Sequence, residues 1–258
     1  MSAQRILLHV CCAPCATTVI RRLQEAGYQV YGYFYNPNVQ PEKEYYQRLL
    51  EVQRLCKLWE IPLEIGDYDW DRWQAEVHGM ENEPEGGERC RLCYRYRLAA
   101  TAAKAKELEI DIIATTLTIS PRKRPDIINP IGREVCAEAE IRFYEADWKK
   151  KDGFKESLDT SRELNLYRQH YCGCKYSLKE REDREAKRAA LEPAAPIPTS
   201  DSAPAVNRVT KAMRILAEDL PKAKPDPGRE TDTRAKWELS PLERKKRHDK
   251  KPKPWARE

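Results

Sequence analysis

Three groups of cysteines carry the chemistry of this sequence: Cys11-Cys12-Ala13-Pro14-Cys15, Cys90-Arg91-Leu92-Cys93 and Cys172-Gly173-Cys174. The first follows the apolar run Leu7-Leu8-His9-Val10, and no packing requirement calls for adjacent thiols there. Cys90 and Cys93 are three residues apart at the start of a helical pattern, so they share a face, and the positive end of a helix favours thiolates. They are a ready-made pair of metal ligands. If that helix packs at the edge of the sheet where Cys11 and Cys12 lie, four thiolates can close on one centre. Zinc and an iron–sulfur cluster both accept four sulfurs. Adjacent cysteines are awkward for a zinc knuckle and suit the larger group. Cys15 is left over, and with a carboxylate such as Asp147 it would hold a second, open metal. Cys172 and Cys174 are separated by one residue, so a disulfide between them is a strained ring, easily reduced again. That spacing suits electron exchange, with two further metal ligands as the alternative. Cys56 and Cys136 fall on apolar helical stripes and read as core thiols.

The elements that must position these groups alternate. Ile6 to Val10 does not alternate in polarity and reads as a strand buried on both faces. A helix opens at Cys15 or Ala16 and stops at Gly27. Tyr28 to Tyr35, Pro62 to Ile65, Ile110 to Thr116 and Ile141 to Glu145 are the further strands, with helical patterns between them. Five such units predict an α/β, Rossmann-like (HUP-type) doubly wound parallel sheet, whose ligands lie beyond the carboxyl ends of the strands. The first strand is followed by Cys-Cys-Ala-Pro-Cys where many relatives of this architecture carry a glycine-rich phosphate loop, which speaks against tight nucleotide binding at that turn.

The chain has 258 residues and a formal net charge of +5. Residues 1–184 are expected to form one α/β catalytic domain holding the iron–sulfur site. Residues 185–258 read as a Pro/Ala/Ser-rich linker, a short amphipathic helix around Val206 to Leu220 and a partly disordered basic Pro/Lys/Arg-rich tail. A basic end favours a polyanionic partner. Nine cysteines, seven of them in three short clusters, point to a reducing compartment, hence a cytoplasmic protein, and no apolar run approaches the ~20 residues of a membrane span.

Four ordered motifs carry a resemblance. Leu8-His9-Val10-Cys11-Cys12-Ala13-Pro14-Cys15, Arg89-Cys90-Arg91-Leu92-Cys93-Tyr94, Thr115-Thr116-Leu117 with Ser120-Pro121-x-Lys123, and Tyr167-Arg168-Gln169-x-Tyr171-Cys172-Gly173-Cys174-x-Tyr176-Ser177 resemble QueH, the cobalamin-independent epoxyqueuosine reductases. The resemblance implies reduction of the epoxide of epoxyqueuosine, at the tRNA wobble position, to the alkene of queuosine. It implies [4Fe-4S] ligation by Cys11, Cys12, Cys90 and Cys93 and a redox-active pair at Cys172 and Cys174. Cys15 matches a position that can be Asp in the family. The implied partners are epoxyqueuosine-containing tRNA and an unidentified electron donor. The RNA would be held by phosphate contacts from Lys123, Lys149, Lys150 and Arg168, with Tyr171, Tyr167 or Trp148 stacking on the unpaired base. Two rival classes are a tRNA sulfurtransferase of related fold, which needs a Ser-Gly-Gly-x-Asp-Ser loop absent here, and a non-catalytic zinc-stabilised RNA-binding module.

Overall fold

Residues 3–191 are described by the structure, a computed structural model. They alternate strand and helix as β1 (Gln4–His9), α1 (Ala13–Glu25), β2 (Tyr28–Phe34), α2 (Glu42–Leu58), β3 (Leu63–Ile65), α3 (Trp70–Glu76) and α4 (Glu88–Glu107). The second half adds β4 (Ile112–Thr115), a 3-10 turn (Leu117–Ile119), α5 (Pro125–Glu138), β5 (Arg142–Phe143), α6 (Gly153–Glu163) and α7 (Lys175–Leu191). All pairings are parallel and the strand order is β3-β2-β1-β4-β5, the doubly wound arrangement expected.

The central strand explains its own sequence. Ile6, Leu8 and Val10 pack on the face covered by α1 and α2, while Leu7 packs on the face of α4 and α5. A strand with helices on both sides has no wet face, so its apolar residues run without alternation. Helix α1 begins two or three residues earlier than its pattern suggests, at Ala13, because Pro14 takes a first-turn position where its missing N–H is no loss. Gly27, at φ +88°, ends it. Strand β5 is two residues long where five were expected; after Tyr144 donates to the Ile113 carbonyl at 2.8 Å the chain leaves the ladder.

The order reverses between β1 and β4, and there the loops diverge to opposite faces and open a crevice. The Cys11 N–H donates to Thr116 Oγ1 at 3.1 Å and the Thr116 N–H to the His9 carbonyl at 3.0 Å, so the thiol turn and the end of β4 are fastened together. Helix α7 runs past position 184 to Leu191. The expected linker, short helix and basic tail beyond it lie outside the described residues. No helix among the described residues is long and apolar enough to cross a membrane.

Candidate metal and redox site

The turn after β1 gathers three sulfurs. Those of Cys11, Cys12 and Cys15 lie within 4.8 Å of one another, with Cys11 and Cys12 buried. The Cys11 and Cys12 sulfurs are 3.8 Å apart, Thr116 Oγ1 donates to Cys11 at 3.2 Å, and Gln169 Nε2 donates to Cys12 at 2.8 Å. Hydrogen bonds from Cys12 and Cys15 hold the Cys11 pKa well below the ordinary thiol value, against the effect of burial. Burial and the Cys11 charge push Cys12 up to about 12, and its two thiol neighbours push Cys15 up as well. One thiolate is favoured and further ones are resisted. A metal cation is what would let all three ionise. His9 beneath them is neutral: its Nε2–H donates to the Tyr35 carbonyl at 3.3 Å and its Nδ1 takes the Thr115 hydroxyl at 2.9 Å. Burial, then the Arg97 charge, lower its pKa to about 3.

Cys90 and Cys93 sit in the first two turns of α4, whose N-terminus starts at Glu88 rather than at Cys90. Both are buried. The Gly86 N–H donates to the Cys90 sulfur at 3.2 Å, and Cys93 packs with Trp73, Val77, Cys174 and Tyr176. Cys90 belongs to the same apolar cluster as Cys11 and Cys12, yet neither it nor Cys93 is part of the tight group of three sulfurs. One turn beyond Cys93, Arg97 is 1% exposed. Its Nη1 donates to Asn36 Oδ1 at 3.2 Å and its Nε to the Cys93 carbonyl at 3.4 Å. Its Nη2 is buried with no hydrogen-bond partner among the described residues. Burial opposes its charge, but Cys93, Cys172 and Cys11 outweigh that and raise its pKa. A buried guanidinium with a spare donor among thiols suits an anionic sulfur-bound metal group, so the residues fit such a cofactor.

The third group is a loop clamped by an arginine that sequence reasoning passed over. Arg48 of α2 is 2% exposed; its Nη1 donates to the Cys172 carbonyl at 2.8 Å, its Nη2 to the Tyr171 carbonyl at 3.2 Å, and its Nε to Glu44 at 2.8 Å. The guanidinium carbon lies 5.3 Å from the centre of the Tyr171 ring. Gly173 adopts φ +138°, and a Cβ there would meet Arg48 Nη1 and Val39 Cγ2 at 3.0 Å. Ser177 holds both thiol residues: its Oγ accepts from the Cys172 N–H at 3.2 Å, and its N–H donates to the Cys174 sulfur at 3.4 Å. Cys174 is buried just before α7, whereas Cys172 is half-buried. Burial and the Cys172 charge push Cys174 up to about 11. The same Cys172 charge acts on Cys90 and Cys93, so the second and third cysteine groups share one neighbourhood.

A cavity of about 350 Å³ joins the first and third groups, with Cys11, Cys15, Cys172, Lys123, Arg168 and Tyr171 on its wall. Lys123, Arg168 and Tyr171, three of the residues expected to contact the RNA, are thus brought onto one wall with the thiols. Tyr171 is fixed there by its hydroxyl, which donates to the Gln40 carbonyl. Lys149 serves another purpose: its ammonium pairs with Asp147 at 3.0 Å and donates to the carbonyls of Thr118 and Lys123. Asp147, held by that pair, lines a different, open cavity together with Lys150 and is not in the thiol group with Cys15. Trp148 is 6% exposed, donates to the Thr115 carbonyl at 2.9 Å and stacks on Tyr144, so it is not a platform for a base. Tyr167 donates to Glu44 at 2.6 Å. The signal that would have found Arg48 and Arg97 is their place: each cation falls on the apolar stripe of its helix, Arg48 between Tyr45 and Val52, Arg97 between Cys93 and Thr101.

Comparison with known proteins decides the family. The profile described as "Epoxyqueuosine reductase QueH" matches residues 6–180. The chain belongs to the QueH family of epoxyqueuosine reductases. It is similar to epoxyqueuosine reductase QueH of Streptococcus pyogenes serotype M1, 40% identical over 182 residues, 67% of this chain and 70% of the relative. The QueH of Acinetobacter baylyi is 38% identical over 180 residues, 69% and 83% of the two chains. That of Thermotoga maritima is 34% identical over 185 residues, 70% and 94%. Every cysteine of the three groups lies within the stretch matched to the QueH profile, as do Lys123, Arg48 and Arg97.

Proposed function

We propose that this QueH-family chain reduces the epoxide of epoxyqueuosine in tRNA to the alkene of queuosine, without cobalamin. The proposal rests on one observation: a single cavity is lined by Cys11 and Cys15 from the turn after β1, by Cys172 of the Cys-Gly-Cys loop, and by Lys123. Cys11, Cys12, Cys90 and Cys93 would hold a [4Fe-4S] cluster, a group that supplies electrons one at a time. Cys15, the remaining thiol of the first group, is a ligand for a second mononuclear metal. Asp147, paired with Lys149, is left out of that assignment.

Cys172 and Cys174 act as a dithiol. Loss of the epoxide oxygen as water takes two electrons and two protons, and closing the dithiol to a disulfide releases that number of each. The balance is epoxide plus two thiols giving alkene, disulfide and water. Arg48 and Ser177 hold the loop while the bond forms and opens, and an electron donor restores the dithiol. Because Cys172 faces the cavity and Cys174 lies behind it, Cys172 is the thiol nearer the substrate. The RNA backbone lies across Arg122 and Arg168 at the cavity mouth, with Lys150 further along the same edge, and Tyr171 packs beside the inserted base. A base of a single-stranded loop is already unpaired, so drawing it into the cavity costs little. Thiols gathered in short motifs suit a reducing compartment, which supports a cytoplasmic location.

The test is nucleoside mass spectrometry on epoxyqueuosine tRNA after anaerobic incubation with the iron-loaded protein and dithionite. Loss of one oxygen is expected. An unchanged epoxide with iron and sulfide content intact refutes the proposal, and colourless, zinc-loaded protein would favour the binding-module alternative.

A further inference from the structure

Of the cations around the cavity, Lys123 stands apart. Arg48 also reaches its wall, but its three nitrogens are taken by Glu44 and two carbonyls. Arg122 is exposed and Arg168 half-buried, as suits groups that meet a solvated RNA backbone. Lys123 is 9% exposed, and its ammonium has neither a hydrogen bond nor an ion pair among the described residues. A largely buried lysine whose ammonium opens only onto the cavity it lines is placed to meet a polar group that enters there.

Its surroundings say what that is. Burial opposes the charge of Lys123, but the charges of Cys172 and Cys11 exceed that penalty, so it stays an ammonium. It shares the cavity wall with the dithiol loop and the turn after β1, the two proposed sources of reducing chemistry. Its backbone is fixed from both sides: its N–H donates to the Ser120 carbonyl at 3.1 Å, and Lys149 grips its carbonyl at 3.2 Å. A phosphate of the RNA backbone, large and strongly hydrated, belongs at the mouth. A single small acceptor oxygen carried on an inserted base can go to the depth where Lys123 sits.

We propose that the Lys123 ammonium is the donor that takes the epoxide oxygen of the substrate as its carbon–oxygen bonds break. This rests on the reductase reading given above. The two electrons come from Cys172 and Cys174, which end as a disulfide. The first proton to reach the departing oxygen comes from Lys123 Nζ, and the second completes water. Of the two protons released by the thiols, one restores the lysine and the other is that second proton, which closes the balance. Lys123 is then a catalytic residue, where phosphate binding alone would have made it an anchor.

The experiment compares wild type with Lys123→Met and Lys123→Arg, each checked for equal iron content and thermal midpoint. Single-turnover conversion at saturating epoxyqueuosine tRNA is read by nucleoside mass spectrometry, and tRNA affinity by filter binding. The Met variant removes the charge from a buried site and so does not tax folding, while the Arg variant keeps a phosphate-binding cation that does not give up its proton. The expected result is tRNA affinity within about threefold of wild type in both, with conversion slowed by a factor on the order of 10² to 10⁴. A weaker affinity with conversion unchanged at saturation would make Lys123 an anchor and overturn the inference. So would conversion by Lys123→Arg at the wild-type rate. If wild type itself leaves the epoxide untouched, the reductase reading falls and this inference with it, an outcome distinct from failure confined to the variants.

Discussion

Replacing Gly173 with Ala tests how the dithiol loop is built. The residue sits at φ +138°, a region that L residues avoid, and holding Ala there costs about 1–3 kcal/mol. The added Cβ would also come within 3.0 Å of Arg48 Nη1 and Val39 Cγ2 and 3.3 Å of Asn38 Nδ2. Val39 and Arg48 are almost fully buried, so neither moves freely. Relief by rotating the peptide would break the bond from the Gln40 N–H to the Gly173 carbonyl, which is 2.8 Å long. Against these costs, Ala restricts the unfolded chain and returns about 0.4–1 kcal/mol. The net expectation is a loss of about 1.5 kcal/mol. Urea unfolding of the reduced protein, followed by circular dichroism without oxygen, should show the midpoint lowered by about 0.5–1 M at an unchanged slope. A midpoint indistinguishable from wild type would mean that the loop tolerates a side chain here and that the clamp does not require glycine.

Arg48→Met leaves Glu44 and the carbonyls of Tyr171 and Cys172 without their donor, and should cost about 3 kcal/mol in urea unfolding; Arg48→Lys should recover little, since one ammonium does not span three acceptors. Iodoacetamide at pH 8, in native and reduced protein, should label Cys172 well before Cys56 or Cys136, as read by peptide mass mapping, because burial pushes those two thiols up to about 11 and about 12. The same shifts set a pH dependence. Unfolded thiols ionise near 9.0 while the folded ones stay neutral, so stability conferred by Cys56 and Cys136 is complete below pH 9 and lost as pH climbs toward about 11 for Cys56 and about 12 for Cys136. A Cys56→Ala, Cys136→Ala double variant should flatten the fall in urea midpoint between pH 9 and 10; an unchanged slope would show that other groups carry it.

Period and punctuation made the layers of the fold legible. The unbroken apolar run of β1, the stripes of α1, α2 and α5 and the stop at Gly27 all correspond to what packs where. The thiol groups were visible for the same reason: no core needs adjacent cysteines. The burial of the cations was less legible. Lys123 stood out as a candidate contact but read as a surface group, and Arg48 and Arg97 were signalled only by their place on helical stripes, because hydropathy assigns Arg and Lys to the surface and the thiol-rich edge that draws all three inward exists only once β1, α2, α4 and the loop after β4 have met. The loop after β5 was not legible. Asp147, Trp148 and Lys149 look like three exposed polar or aromatic groups, and instead each bonds back to the protein, to Lys149, Thr115 and Lys123 respectively.

The sulfur of Cys174 has one further consequence. It accepts the Ser177 N–H at 3.4 Å and its carbonyl accepts the Leu178 N–H at 3.1 Å, so a thiol stands where helices ordinarily begin with Ser, Thr or Asp. Drawing that sulfur into a bond with Cys172 withdraws it from the helix end. A cap of this kind is worth about 1 kcal/mol, equivalent to roughly 20 mV for a two-electron couple. If the pair cycles as proposed, the first turn of α7 would therefore fray in one oxidation state and tighten in the other, making the start of the last described helix a local indicator of the state of the thiols.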